Sequence, residues 1–527
     1  MTANEQPAAA AGPSGPRGGF ANRAASGSIW TTAQVVVNKA ATVVAMLLLA
    51  RWLSPADFGL ANLAASIGAF TFLITPVAMG DVLLARPREF DRLAGSALAM
   101  VAAIAIVLFV GLSASSGTIE HISQREGIAI LIIVAALRPV ADAILVLPNT
   151  RLRLDLSYRT IAKVDGVVIF GATLLGLAMA RLGYGAMSLT LPPIAVLAVR
   201  GVVYWFIVGS RIPLRVERSG LRELASRLSV AGIGQYLNNV IMISEVLVLG
   251  LFASEQEIGL FGLAFQLATQ ANAVIALQLG AVLQPIFGHM ADDPQRQVAG
   301  FVRATRLLSS VAVPISVMQA VLALPLFAIC FDERWQGAIA IFVALSIGQT
   351  FMFVSAPSIA LLKAQDRFGT YLRWQLGQVI GAAVLFVGAA ALAGDTAISA
   401  ARAIGLPATD DSGHALAVAI ASATVWAVSC PIAVWLGGRP AGLPYRSSLR
   451  IFVEPWMVMI PIGIVVLGAR YGLLQVIPAW WAEVVTLCVL GPVAVLAGIL
   501  GSARIHADTW TDLKSQLGRF ARRRAEA

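Results

Sequence analysis

Apolar runs long enough to cross a bilayer recur from residue 28 to residue 501, and this feature leaves few folds open to the chain. A hydrocarbon core of roughly 30 Å takes about 20 helical residues. Inside it every backbone N–H and C=O needs a partner in the protein, a condition that helices meet one segment at a time. The runs fall at 28–50, 58–79, 93–114, 127–147, 160–181 and 187–209, and, after a basic stretch, at 229–252, 258–285, 303–330, 336–362, 370–394, 414–438, 446–470 and 480–501. They predict an all-α polytopic membrane protein of about fourteen transmembrane helices.

Composition agrees with that solvent. The chain is 58% hydrophobic and 13% charged, whereas a soluble domain carries about a quarter charged residues. The net charge of +10 does not point to nucleic acid, because the arginines are spread through short loops instead of covering one face. Cys330, Cys430 and Cys488 lie in apolar runs without C-x-x-C spacing and read as small core hydrophobes, not as a disulfide framework or zinc site.

The basic residues also orient the chain, since cytoplasmic loops retain Lys and Arg. Assigning loops alternately puts 29 of the 38 on one side and six on the other, namely Arg51, Arg125, Arg181, Arg334, Arg402 and Arg470; Lys39, Arg138 and Arg200 lie inside runs. The expected location is the bacterial inner membrane, with both termini cytoplasmic. Residues 1–27, rich in Ala, Pro and Gly, are expected to be a disordered cytoplasmic tail. They lack the apolar segment of a secretory signal, so the first helix is expected to direct insertion. Residues 502–527 are expected to form a basic cytoplasmic tail.

An ungapped offset of 200 residues relates the two halves. It superposes Asn38 on Asn238, Leu47 on Leu247, Leu49 on Leu249, Ser54 on Ser254, Gly59 on Gly259, Leu60 on Leu260, Leu63 on Leu263 and Ala64 on Ala264, with Asp57 opposite Glu257. Copies with an even number of helices start on the same side, so the repeat is parallel and its pseudo-twofold axis runs along the membrane normal. The expected organisation is an N-lobe at 28–209 with six helices, a basic cytoplasmic connector at 210–228, a C-lobe at 229–438 with six more, and two extra C-terminal helices at 446–501. The connector reads either as a lipid-contacting surface segment or as a solvated linker.

The first hairpin, LLLARWLSPADFGLANLA at 47–64, resembles the signature of the polysaccharide-unit flippases of the multidrug/oligosaccharidyl-lipid/polysaccharide exporter superfamily; Arg51, Leu53, Pro55, Asp57, Phe58 and Gly59 carry the match. LGLFASEQEIGLFGLAFQLATQ at 249–270 and LQPIFGHMADD at 283–293 are similar to the family as well. The resemblance implies two six-helix lobes forming a V around a central cavity, two appended helices, and transport of undecaprenyl-pyrophosphate-linked oligosaccharide. The partners it implies are that substrate, membrane lipids, and the polysaccharide polymerase and export machinery.

Ionisable groups in the hydrocarbon region cost at least about 2.5 kcal/mol and therefore mark candidate sites. They are Lys39, Arg138, Asp142, Arg200 and Glu245. Asp165, two residues past Lys163 at the expected cytoplasmic border, is either interfacial or intramembrane. Lys39 lies too deep to snorkel easily and is expected to face a cavity or a partner. Arg138 and Asp142, at i and i+4, can neutralise each other or serve the cavity. Either Arg200 or Glu245 could pair across the lobes and lock one conformational state, and Glu245, Asp142 and Asp165 are the candidates for cation coupling. Three cations suit a pyrophosphate. For the sugars, amides that both donate and accept are available at Gln235, Asn238, Asn239, Gln266, Gln270, Gln278 and Gln349. Gln266 and Gln270 share one helical face, as a luminal stripe or as interhelical glue; Gln349 reads as glue, and the Gly377/Gly381 spacing as close helix packing. His121, His289, His414 and His506 form no metal motif, and no cofactor is expected.

These residues are read as alternating access without catalysis. Two other transporters stay open: a cation-coupled multidrug exporter, for which twelve helices and a carboxylate-rich cavity are expected, and a flippase for lipid-linked peptidoglycan precursors, which only the hairpin signature disfavours. A membrane polysaccharide polymerase would need gathered acid/base residues and a large loop; the longest outside loop, 395–413, is short and Ala-rich.

Overall fold

The structure, a computed structural model, describes residues 41–70, 76–84, 86–208, 212–270, 287, 290 and 293–505. All regular secondary structure among them is helical. In chain order the helices are α1 (41–52), α2 (Pro55–Phe70), α3 (Pro76–Leu84), α4 (Phe90–Ser123), α5 (Ile128–Ala136), α6 (Arg138–Leu154), α7 (Tyr158–Arg181) and α8 (Met187–Val208). The second half holds α9 (Arg218–Phe252), α10 (255–270), α11 (Pro294–Val321), α12 (Ala323–Cys330), α13 (Ala338–Ala364), α14 (Phe368–Leu392), α15 (Gly394–Ala403) and α16 (Gly413–Gly438). After these come α17 (Tyr445–Val476), α18 (Ala479–Val485) and α19 (Gly491–Ile505). Ten helical segments among the described residues are long and apolar enough to cross a membrane, with two shorter apolar helices at Ala41–Trp52 and Tyr236–Phe252.

Several elements depart from the hydropathy reading, each for a local reason. The run at 127–147 is two helices, because Pro139 at the start of α6 has no N–H to continue the ladder from α5. α4 continues to Ser123, well past the apolar run. It stops where Gln124 (φ 53) and Gly127 (φ 80) reverse the chain, and the Glu120 carboxylate accepts from the backbone N–H groups of Gly127 and Ala129 at 3.0 and 2.9 Å. The loop expected at 395–413 contains α15, which buries Ala397, Ile398 and Ala401. The span at 480–501 is broken into α18, a π turn at Thr486–Leu490 and α19.

The connector is exposed at 214–219 and is tied to the first half. α9 already begins at Arg218, and the segment before it lies on α4: Ser96 Oγ donates to the Glu217 carbonyl (3.1 Å) and accepts from the Glu217 N–H (2.9 Å). Arg86 and Arg92 then reach Glu223 at 3.3 and 2.8 Å.

The hairpins α1–α2 and α9–α10 meet at one end of the molecule. Each second helix opens with a reciprocal cap. Ser54 N–H donates to Asp57 (2.9 Å) and Asp57 N–H to Ser54 Oγ (3.2 Å), while Ser254 N–H donates to Glu257 (3.0 Å) and Glu257 N–H to Ser254 Oγ (3.2 Å). The backbones then touch. A Cβ on Gly59 would lie 1.8 Å from the Glu255 carbonyl oxygen, and one on Gly259 would lie 1.7 Å from that of Pro55. Three side chains from the loops the charge count puts outside lock this seam. Arg125 donates to the carbonyls of Gly250 and Ala253, Arg334 to that of Arg51, and the Trp335 indole to that of Ala50. Two of the arginines on the charge-poor side thus satisfy carbonyls at helix C-termini that would otherwise lack donors. Around them lies an apolar core drawn from both halves, with Phe58, Phe261 and Trp335 fully buried and the Phe58 and Trp335 rings edge-to-face at 5.1 Å.

Candidate functional site

Beneath this seam a cavity of about 450 Å³ is walled by α1, α2, α5, α6, α7, α8 and α10. Its one charge among the described lining residues is Arg138, the first residue of α6, at the break in the fourth apolar run. Broken helices are tolerated at membrane depth where they line a cavity, so the break and the cation belong together. The Arg138 side chain is 55% exposed and its Nε stands 3.9 Å from Asp142 Oδ2, beyond hydrogen-bond reach. Arg138 lines the lumen, and no carboxylate lines the cavity among the described residues.

Polar groups round the cavity come from both halves. Gln266 enters from α10, and Asn62 from α2 donates its amide to the Phe58 carbonyl (2.8 Å), which leaves its own oxygen as an acceptor. Pro192 and Pro193 stand inside α8. Having no N–H, they leave the carbonyls of Ser188 and Leu189, both lining residues, without their i+4 donors. The wall is otherwise apolar. Asn62 and the Pro192–Pro193 pair were not singled out from sequence, although an amide in an apolar helix and a double proline inside a run are the signals that find them.

Of the predicted cavity residues whose side chains are described, Arg138 and Gln266 are brought together, and Arg200, Glu245, Asn238, Asn239 and Gln270 are not among the lining. Lys39 and Gln278 lie outside the described residues. Arg200 is in an ion pair with Asp165 (2.7 Å) and stacks over Tyr204 (5.8 Å), whose hydroxyl donates to the same carboxylate at 2.5 Å. Its partner comes from its own half, not from across the lobes. Asp165, half-buried in α7 in that network, is neither a free interfacial carboxylate nor part of the lining. Glu245, 1% exposed, accepts from Ser422 Oγ on α16 at 2.5 Å, again within one half, and its other oxygen has no hydrogen-bond partner among the described residues. Asn239 donates to the Ala69 carbonyl (3.1 Å) and so fastens α9 to α2; Asn238 is half-buried nearby on α9, and Gln270 ends α10. Gln349 is buried with neither amide atom hydrogen-bonded among the described residues, so it is not the expected glue. The glycines Gly377 and Gly381 touch nothing: a Cβ on either meets no atom within 4 Å.

Residues 48–340 match a family model described as polysaccharide biosynthesis protein. A teichuronic acid biosynthesis protein of Bacillus subtilis, TuaB, is 20% identical over 84% of this chain and 88% of its own. The succinoglycan biosynthesis transport protein ExoT of Rhizobium meliloti is 26% identical over 62% of this chain and 67% of its own. Among solved structures, the lipid II flippase MurJ in an inward closed conformation superposes with a TM-score of 0.66 at 11% identity, over 92% of this chain and 99% of that one. At that identity the likeness shows a shared fold.

Proposed function

The chain belongs to the polysaccharide biosynthesis protein family, and from that premise we propose that it is a flippase carrying undecaprenyl-pyrophosphate-linked oligosaccharide repeat units from the cytoplasmic to the outer leaflet of the inner membrane. The observation that carries this reading is the cavity under the seam, a mainly apolar wall that holds one guanidinium, the Asn62 and Gln266 amides and the carbonyls beside Pro192 and Pro193, with no carboxylate among its described residues. A multiply charged anion crossing the bilayer needs its charge matched where water is scarce, and a glycan needs groups that donate and accept. An apolar groove of about 540 Å³ between α10, α11 and α19 offers the lipid tail a path beside the second half.

The full reading has fourteen helices: the ten long segments, the run at 229–252 within α9, and the runs at 28–50, 58–79 and 258–285, each of which lies partly outside the described residues. They form two lobes at 28–209 and 229–438 about a pseudo-twofold axis, with two helices added at 446–501 and both termini cytoplasmic. The reciprocal approach of Gly59 to Glu255 and of Gly259 to Pro55, related by the same offset of 200 residues, supports that symmetry. In this reading Lys39 joins Arg138 at the pyrophosphate, and the seam is the outer gate that parts when the lobes rock. The expected partners beyond the membrane are the polymerase and export machinery that receive the repeat unit.

Cation coupling is assigned to Glu245. Asp142 and Asp165 have arginine neighbours, whereas Glu245 has no cationic partner among the described residues and one idle oxygen. A buried carboxylate without a countercharge is costly unless it takes up a proton or a metal cation. Glu245→Gln, which keeps an acceptor for Ser422, is expected to bring transport down to the wild-type level seen with the ion gradient collapsed; equal gradient dependence in variant and wild type rejects the assignment.

The function itself is tested in a cell lacking this chain. Lipid-linked repeat units are expected to accumulate in the cytoplasmic leaflet, and to do so again when Lys39→Ala is supplied at normal levels. Export of polymer with loss of drug efflux would instead identify a multidrug exporter, and unpolymerised units in the outer leaflet would identify a polymerase.

A further inference from the structure

A separate cavity, of about 660 Å³, opens on the second half between α14 and α16 and shares no lining residue with the first. Along α14 its wall runs from Thr370 to Leu385, and along α16 from Arg439 back to Thr424. At 1.5 Å per residue this is a furrow about 22 Å long, longer than the roughly 15 Å of hydrocarbon in one leaflet. Its floor on α14 is Gly377 and Gly381, above which there is open space. The flanking residues Leu376, Ile380 and Val384 are exposed, as side chains facing lipid would be.

One end of the furrow is cationic. Arg367, Arg373 and Arg439 line it together, and among the described residues none of the three forms a salt bridge. Arg367 donates to the Leu436 carbonyl (2.7 Å), Arg373 to that of Gly369 (3.2 Å), and Arg439 lies over the Trp435 ring (5.4 Å). Burial and the neighbouring Arg439 hold the Arg367 guanidinium below its ordinary pKa, as expected where like charges meet without an anion. Trp374 lines the furrow next to Arg373, and Trp435, under Arg439, packs edge-to-face on Tyr445; such amphipathic rings concentrate at head-group depth. The deeper polar side chains, Gln378 and Ser429, are hydrogen-bonded to each other at 2.9 Å.

We propose that this furrow holds an anionic phospholipid of the surrounding leaflet, its phosphate on Arg367, Arg373 and Arg439 and one acyl chain along Gly377 and Gly381. A phosphate supplies the missing countercharge, basic clusters at this depth select anionic head groups, and a groove one chain wide leaves the second chain in the bilayer. The site is independent of the transport cavity; only its leaflet, the cytoplasmic one, rests on the proposed topology.

The test is native mass spectrometry of the full chain in detergent with phosphatidylglycerol and phosphatidylcholine in competition. Preferential retention of phosphatidylglycerol is expected. R373Q/R439Q is expected to lower that retention by on the order of tenfold or more and leave phosphatidylcholine unchanged. G377L/G381L, at whose positions a Cβ meets no atom within 4 Å, is expected to lower it as well at an unaltered unfolding temperature. Equal retention of the two lipids, or full phosphatidylglycerol retention by G377L/G381L, overturns the proposal. Displacement of phosphatidylglycerol by equimolar polyprenyl phosphate also overturns it, giving the groove to the carrier lipid.

Discussion

Replacement of Arg138 by glutamate is expected to abolish transport while leaving the protein folded. A charge-assisted hydrogen bond contributes about 1.5–3 kcal/mol, so deleting it in Arg138→Ala corresponds to a loss of roughly ten- to a hundredfold in transport rate. Inverting the sign adds repulsion in a cavity with no other described charge to offset it, and the loss should exceed a hundredfold by this reasoning. Stability is expected to change little, because the side chain is 55% exposed. Arg138→Lys, which keeps the charge but not the planar fork, is expected to fall between the two. The reading is lipid-linked repeat units in each leaflet at matched protein levels. Wild-type flux in Arg138→Glu would remove the cavity from the transport path.

The second large effect concerns the seam. Gly59→Val and Gly259→Val each force a branched side chain into a backbone carbonyl that a Cβ alone would approach to 1.8 and 1.7 Å. Neither side can yield cheaply, since the opposing atoms belong to the first turns of α10 and α2, held by the Ser254–Glu257 and Ser54–Asp57 caps. Overpacking of this kind costs about 1–3 kcal/mol where side chains can shift, and here the upper end or more is expected because backbone must shift. Thermal unfolding of the purified protein in detergent should show it. The double variant is expected to be less than additive, because both residues separate the same two helices. A change under about 0.5 kcal/mol for either single variant would mean that the helices do not meet there.

Much of the fold was legible because its causes are local. Hydrocarbon transfer and backbone satisfaction act run by run, so each apolar run coincides with helix wherever it is described, and Pro139 and Pro192–Pro193 mark their own irregularities. Ser54 with Asp57 and Ser254 with Glu257 are caps readable at a spacing of three. The hydropathy reading failed where helices outrun the hydrocarbon: α4 beyond residue 114 and α9 before residue 229 are helical but polar, and a window tuned to apolar content stops short of them.

The candidate site was legible only in its residue types. Sequence picked out Arg138, Arg200, Asp165 and Glu245 as charges that must be accommodated, since an unpaired ion in hydrocarbon is costly wherever it sits. Which partner accommodates each was decided by how far every helix is rotated about its axis, and that rotation is set by packing against neighbours. It turned Arg200 toward Asp165, Glu245 toward Ser422, and Arg138 toward the lumen. The glycines show the same division: Gly59 and Gly377 are alike in sequence, each a glycine in an apolar helix, yet one is pressed against a backbone and the other floors an open furrow. Helix and membrane character follow from free energies that add along the chain, whereas cavity, seam and furrow depend on distances between residues remote in sequence, which only the tertiary structure supplies.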